Sequence, residues 1–96
     1  MRHQQIQPLS EALMQFLRES GLEQPLMERR VAELWPQVMG EMVARLTRDV
    51  TVSDGVLRVK VSSAALRAQL FECRFELVKK MNVAVGANVI HDVRLS

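Results

Sequence analysis

Ninety-six residues, 48% of them apolar, suffice for one modest hydrophobic core and leave no room for a second domain. The formal net charge is only +2, with four Arg/Lys against five Glu in residues 1–40 and nine against six acids in residues 41–96, so the later part is mildly basic but carries no dense cationic stripe. Cys73 is the sole cysteine, which excludes an internal disulfide, and neither a signal-peptide pattern nor an apolar run long enough to span a bilayer is present, so a cytoplasmic protein with no membrane role is expected.

Residues 1–7 lack apolar periodicity and are expected to be a flexible N-terminus, leaving 8–96 as a single domain. Pro8 suits the first turn of a helix whose Leu9, Leu13, Phe16 and Leu17 share one face, and Gly21 stands where a C-terminal cap belongs, with Leu22 folding back on it. Pro25 opens a second helix in the same manner, along which Met27, Val31, Leu34, Trp35, Val38 and Met42 recur at steps of one, three and four. That stripe passes through Pro36. Proline has no N–H and its ring clashes with the preceding turn, so a bend is expected there, anchored by Trp35, with a second segment over about 36–46 that Gly40 loosens further.

Residues 47–63 then fix a β-hairpin together with its register. A two-residue Asp54-Gly55 loop between alternating apolar and polar residues favours a type I′ turn, whose twist suits the flanking strands. Counting outward, Val52 faces Leu57 and Val50 faces Val59 on one side, while Thr51 faces Arg58 and Asp49 faces Lys60 on the other. The Ser62-Ser63 pair offers a helix N-cap directly afterwards.

Over 63–82, Leu66, Leu70, Cys73, Leu77 and Met81 form one stripe and Phe71, Phe75 and Val78 a second. On one straight helix Arg67 and Arg74 project between the two stripes, inside a broad apolar arc. Two readings stand: the arginines snorkel from the edge of a groove, or the helix breaks near 71–74 and the stripes belong to differently oriented pieces, the reading slightly preferred. Gly86 marks a loop, and Val89, His91, Val93 and Leu95 alternate with Asn88, Ile90, Asp92 and Arg94 as a final strand. The sum is an α+β fold in which helices cover one face of a three-stranded sheet and the Thr51, Arg58, Asp49 and Lys60 face is left for solvent or a partner.

Arg48, Arg58, Lys60, Arg67, Arg74 and Arg94 are the candidates for phosphate contact through charge-assisted hydrogen bonds. Several of the chain's cations have a plainer account. Asp49 opposite Lys60 predicts an ordinary cross-strand ion pair, and Lys79 and Lys80, three and four positions after Glu76, predict intrahelical pairing. Arg67 and Arg74, seven apart and on similar bearings, are either the most interesting positive pair or packed stems with solvated heads. Trp35, Gly40, Asp54 and Gly55 read as structural, and Phe71 and Phe75 read as core rather than as a stacking platform, although an exposed Phe71 beside Arg67 and Arg74 would mark the start of an interaction groove. His3, His91 and Cys73 are too scattered for a nucleophile pair or a metal site, no glycine-rich phosphate loop precedes a helix, and the acids are unpaired, so no enzyme, metal or cofactor is expected.

With these elements placed, the sequence resembles the DciA family of bacterial replicative-helicase operators. The likeness rests on Trp35-x-x-Val38-x-Gly40, Val43-Ala44-x-Leu46-Thr47, Asp54-Gly55-Val56-Leu57-x-Val59-x-Val61-Ser62-Ser63, Leu66-x-x-x-Leu70 and Leu77-Val78-x-x-Met81-Asn82, in that order over nearly the whole chain. The resemblance implies a KH-like fold, weak binding to DNA, single-stranded DNA included, and contact with the replicative helicase to promote its loading. Better-known members look like a folded domain followed by a long basic tail, so with its last residue at Ser96 the chain is expected to be a short form without that tail. The Gly-x-x-Gly loop by which KH domains clamp a nucleic-acid backbone is not found in the sequence. Two functions follow as expectations: a non-enzymatic, nucleic-acid-associated adaptor of DNA replication, or a protein-interaction module, homodimeric through a sheet edge or the Phe71 side of its helix, with no nucleic-acid role.

Overall fold

The computed structural model describes residues 3–96, with side-chain burial given from residue 11 onward. The order of elements is α1 (His3–Ser20), α2 (Glu23–Met39), α3 (Glu41–Leu46), β1 (Thr47–Ser53), β2 (Val56–Val61), α4 (Ala64–Glu72), α5 (Arg74–Val85) and β3 (Asp92–Leu95). This is the α+β arrangement the sequence predicts, with helices packed on the sheet. Both N-terminal helices begin ahead of the prolines expected to open them, at His3 rather than Pro8 and at Glu23 rather than Pro25. The expected flexible segment 1–7 lies partly outside the described residues, and the place of Leu9 on its helix face lies outside the described side chains.

The hairpin forms as its turn chemistry requires. Asp54 and Gly55 both have positive φ, 55° and 77°, the type I′ signature, and the pairs Val52↔Leu57, Val50↔Val59, Thr51↔Arg58 and Asp49↔Lys60 are all observed. Near its start β1 slips register: Thr47 pairs with Val61 and Asp49 with Lys60, so Arg48 is an extra residue, a bulge. β2 is the central strand, antiparallel to β1 and parallel to β3. A parallel neighbour needs a long crossover, which α4 and α5 supply.

The crossover starts where expected, the Ser63 hydroxyl accepting from the Leu66 N–H at 3.1 Å as an N-cap. It also breaks where the arginine argument placed the break, at Cys73, between α4 and α5. The core-facing stripe survives the break. Leu70, Leu77 and Met81 are buried with Val31 and Trp35 of α2, Leu57, Val59 and Val61 of β2, and Val89, Ile90 and Val93. The helices therefore cover the Leu57, Val59 and Val61 side, with Val50 and Val52 half-buried beside it.

Three local expectations are corrected. Helix α2 continues through Pro36 to Met39 and stops at Gly40, whose φ of 93° and ψ of 170° lie outside the helical region, and α3 starts afresh from there. Pro36 lies on the exposed side of the helix and the helix runs on past it, so glycine and not proline sets the break. Met42, expected on the α2 stripe, falls beyond that break and is exposed. The last strand is only four residues long. Ahead of it Val89 and Ile90 are both buried, because Asn82 replaces the ladder: its Oδ1 accepts from the Val89 and Ile90 N–H groups at 2.9 and 3.0 Å and its Nδ2 donates to the Ile90 carbonyl at 2.9 Å.

Trp35 is 1% exposed, and its Nε1 donates to Thr47 Oγ1 at 3.1 Å, which in turn donates to the Val43 carbonyl at 2.8 Å. This chain of bonds satisfies the buried indole and ties α2 to α3 and β1. A second tie holds the hairpin tip. Glu28 of α2, buried, accepts from the Gly55 N–H at 2.9 Å and from Gln24 Nε2 at 2.9 Å, while the Gly55 carbonyl accepts from the His91 N–H at 2.8 Å. The His91 ring lies against the turn, so a Cβ on Gly55 falls 2.5 Å from His91 Cδ2.

Gly55→Val should cost about 1–3 kcal/mol from backbone strain at positive φ, with the imidazole clash adding to it. Thermal unfolding should show a fall of roughly 4–8 °C for each kcal/mol of destabilisation; an unshifted midpoint contradicts the clamp. Glu28→Ala, which leaves the buried Gly55 N–H without its acceptor, should cost about 1–3 kcal/mol in urea unfolding, whereas Glu28→Gln, which keeps an acceptor, should cost less.

Candidate nucleic-acid interface

Strand alternation fixes what the open face of the sheet displays. Every second residue of β2 is buried, so Arg58 and Lys60 stand on the opposite side, and β3 follows suit with Val93 inward and Arg94 outward. The observed register aligns Thr51, Arg58 and Arg94 in one row across three strands, and Asp49 beside Lys60 in the next. The Arg48 bulge places two consecutive exposed residues, Arg48 and Asp49, at the edge of β1. Arg48, Asp49, Lys60, Val61 and Ser62 line an open groove of about 450 Å³.

Four of the six candidate cations, Arg48, Arg58, Lys60 and Arg94, thus share the open sheet face and its rim. Only Arg94 is paired: its Nε donates to Asp92 Oδ2 at 3.0 Å. Although Asp49 and Lys60 are Cα partners, no ion pair links them among the described residues, and none links Glu76 to Lys79 or Lys80. Both expected pairings are corrected. Adjacent backbones bring long exposed side chains within reach, but solvation and rotamer entropy offset the small Coulomb gain.

Arg67 and Arg74 belong elsewhere. The break at Cys73 puts them on separate helices, so their seven-residue spacing no longer gives them a common bearing. Arg67 folds back on the end of β2, Nη2 donating to the Val61 carbonyl at 3.2 Å, with its Nε buried and unpartnered. Arg74 lies between Phe71 and Phe75, and those rings, expected in the core, are exposed.

Reasoning from sequence misses Glu28, Asn82 and His91, the three side chains that hold the hairpin tip and the β3 approach in place. Glu28 leaves a trace: it precedes Val31 by three and Trp35 by seven, so it occupies a core position of the α2 stripe. His91, read from sequence as a packed or edge histidine of the last strand, takes the edge position: it is exposed, with Nε2 3.2 Å from the Asp54 carbonyl oxygen. Among the described residues no group of three His, Cys, Asp or Glu is placed to hold a metal ion, and no helix is long and apolar enough to cross a membrane.

The family model described as "Dna[CI] antecedent, DciA" matches residues 8–95. The chain belongs to the DciA family. A "UPF0232 protein" of Mycobacterium tuberculosis is 30% identical over 90 residues, covering 94% of this chain and 48% of that protein. Relatives from Rhodococcus jostii, at 28% with 94% and 48% covered, and from Mycolicibacterium paratuberculosis, at 29% with 94% and 50% covered, carry the same family name. The chain spans about half the length of these curated relatives. The hairpin and α2 segments on which the resemblance rests are thus, in this DciA-family fold, the Trp35 tie, the clamped turn and the buried side of β2.

The Arg94 hydrogen bond holds the Asp92 carboxyl below its ordinary value of 3.8, with the Val93 N–H adding to the effect and burial opposing it. A lowered carboxylate contributes stability that is present above the ordinary value and lost as pH falls through the lowered one. Asp92→Asn should therefore be slightly less stable than the parent at neutral pH, and the gap should close in acid, as urea unfolding at the two pH values will show.

Proposed function

We propose that this chain is a non-enzymatic, KH-like adaptor that engages DNA weakly through the open face of its sheet and works beside the bacterial replicative helicase during its loading. The family to which the chain belongs is associated with that helicase, and this supports the second half of the reading. The first half is carried by one observation: Arg58 and Lys60 of the central strand, without carboxylate partners, flanked by Arg94 on one neighbour and Arg48 on the other. Phosphates take such side chains as charge-assisted donors with no base preference, which makes weak, sequence-independent contact the expected mode. Because the sequence has no Gly-x-x-Gly loop, binding runs through strand side chains rather than a backbone clamp. Nothing in this role needs a catalyst, a cofactor or a membrane, and it is a cytoplasmic role.

Titration of a labelled single-stranded oligonucleotide at several salt concentrations tests the reading. Affinity should fall steeply as salt rises, and Arg58→Ala with Lys60→Ala should weaken binding about tenfold and lower the salt slope by roughly 1.4, about 0.7 for each single-strand phosphate no longer neutralised, with an unchanged thermal midpoint. Binding that is absent at low salt, or a slope the substitutions leave intact, overturns it.

A further inference from the structure

The outward side of α5 carries an apolar line that no part of the described chain covers. Phe75, Lys79 and Val83 recur there at helical spacing, and Phe71 extends the line onto the end of α4, with Val78, packed against the core, and Asn82, bonded to Val89 and Ile90, on its flank. Phe71, Phe75 and Val83 are 54, 69 and 81% exposed. Near its far end the line passes a groove of about 590 Å³ walled by Val78, Lys79, Asn82, Val83 and the 86–88 loop. Exposed apolar stretches of this kind mark interaction surfaces.

Its charges are held in reserve. The Arg74 guanidinium lies 4.2 Å from the Phe71 ring centre and 4.7 Å from that of Phe75, and its Nη1 donates to the Phe71 carbonyl at 3.1 Å. Glu72 and Glu76 are each two residues away, yet neither pairs with it, and Lys79 is likewise without a carboxylate. A fixed cation framed by two aromatic rings, with a second cation further along, describes a complement: aliphatic side chains along one helix face with carboxylates beside them. Resting on the helicase association argued above, we propose that this face receives an acid-bearing amphipathic helix of the replicative helicase, leaving the sheet free for DNA.

The length agrees, since within α5 the stretch from Phe75 to Val83 extends roughly 12 Å, about two turns of a docked helix, and Phe71 adds to it from the end of α4. Arg and Phe are also enriched in the buried centres of protein interfaces. Nucleic acid fits less well, because Arg74 already occupies one face of each phenyl ring on which a base would stack.

Two double variants test this, Arg74→Glu with Lys79→Glu and Phe75→Ser with Val83→Ser. Each is titrated against the purified replicative helicase of the same organism and against a labelled single-stranded oligonucleotide, with mass in solution measured by light scattering and folding checked by the thermal midpoint. The expected result is helicase binding weakened at least tenfold in both, with DNA affinity, mass and midpoint unchanged. Helicase binding that survives both variants, a wild-type chain that ignores the helicase, DNA affinity abolished in place of helicase affinity, or a dimer that the substitutions dissolve each overturns the proposal. Failure of the DNA reading shows separately, in the oligonucleotide titration of the Arg58→Ala and Lys60→Ala variant.

Discussion

The amide of Gly55 donates to a carboxylate that lies 27 positions earlier in the chain, and that bond brings three parts of the fold to one point. Glu28 comes from the middle of α2, the turn joins β1 to β2, and His91, bonded to the same glycine through its own amide, leads directly into β3. A buried carboxylate without donors is costly, and Glu28 meets that cost with two, the Gly55 N–H of the turn and Gln24 Nε2. The turn in turn needs a residue without a side chain at positive φ, because the imidazole fills the space where a Cβ belongs. Helical layer, hairpin and edge strand are thereby positioned by a single small contact.

From that point the two faces of the sheet diverge. Alternation along β2 sends Leu57, Val59 and Val61 beneath α2, α4 and α5 and turns Arg58 and Lys60 outward, so the same six residues supply both the core and the cations. The charged face and the exposed line of α5 lie on different layers of the molecule. An adaptor that holds a polyanion and a protein at the same time needs such a separation, since two ligands competing for one surface exclude each other. Arg74 shows the distinction at the level of one residue: counted by type it is another positive charge, while its position over the Phe71 and Phe75 rings sets it apart from the strand cations.

Much of this was legible in the sequence where the governing physics is local. The Asp54-Gly55 pair, period-two alternation and the Ser63 hydroxyl each act within a few residues, and the hairpin register, the two faces and the start of α4 followed from them. The break at Cys73 was legible by contradiction, because an unbroken helix leaves arginines within an apolar arc. The misreadings concern contacts remote in sequence or set by solvent. Asn82 reaches across to Val89 and Ile90 and cancels the expected alternation there, and Glu28 finds its donor in an element that helical periodicity does not reveal. Phe71 and Phe75 form a valid apolar stripe, yet periodicity says only that residues share a side, not that another layer lies over it. For the candidate site, outward cations on the strands could be read from alternation, whereas the departure of Arg67 and Arg74 from that group depends on the chain's turn at Cys73. The link to a helicase came through family likeness and not from any residue's chemistry.

The bulge at Arg48 has a bearing on how the molecule behaves when concentrated. β1 is an outer strand, and a flat outer strand invites a neighbour to add itself by backbone pairing, the route to runaway fibres. An extra residue there bends the strand and throws its spare amide and carbonyl groups out of step with any straight partner, and the consecutive charges of Arg48 and Asp49 make the approach less welcome still. The same irregularity that places a cation on the rim of the groove thus guards the sheet against growing by self-addition along that border.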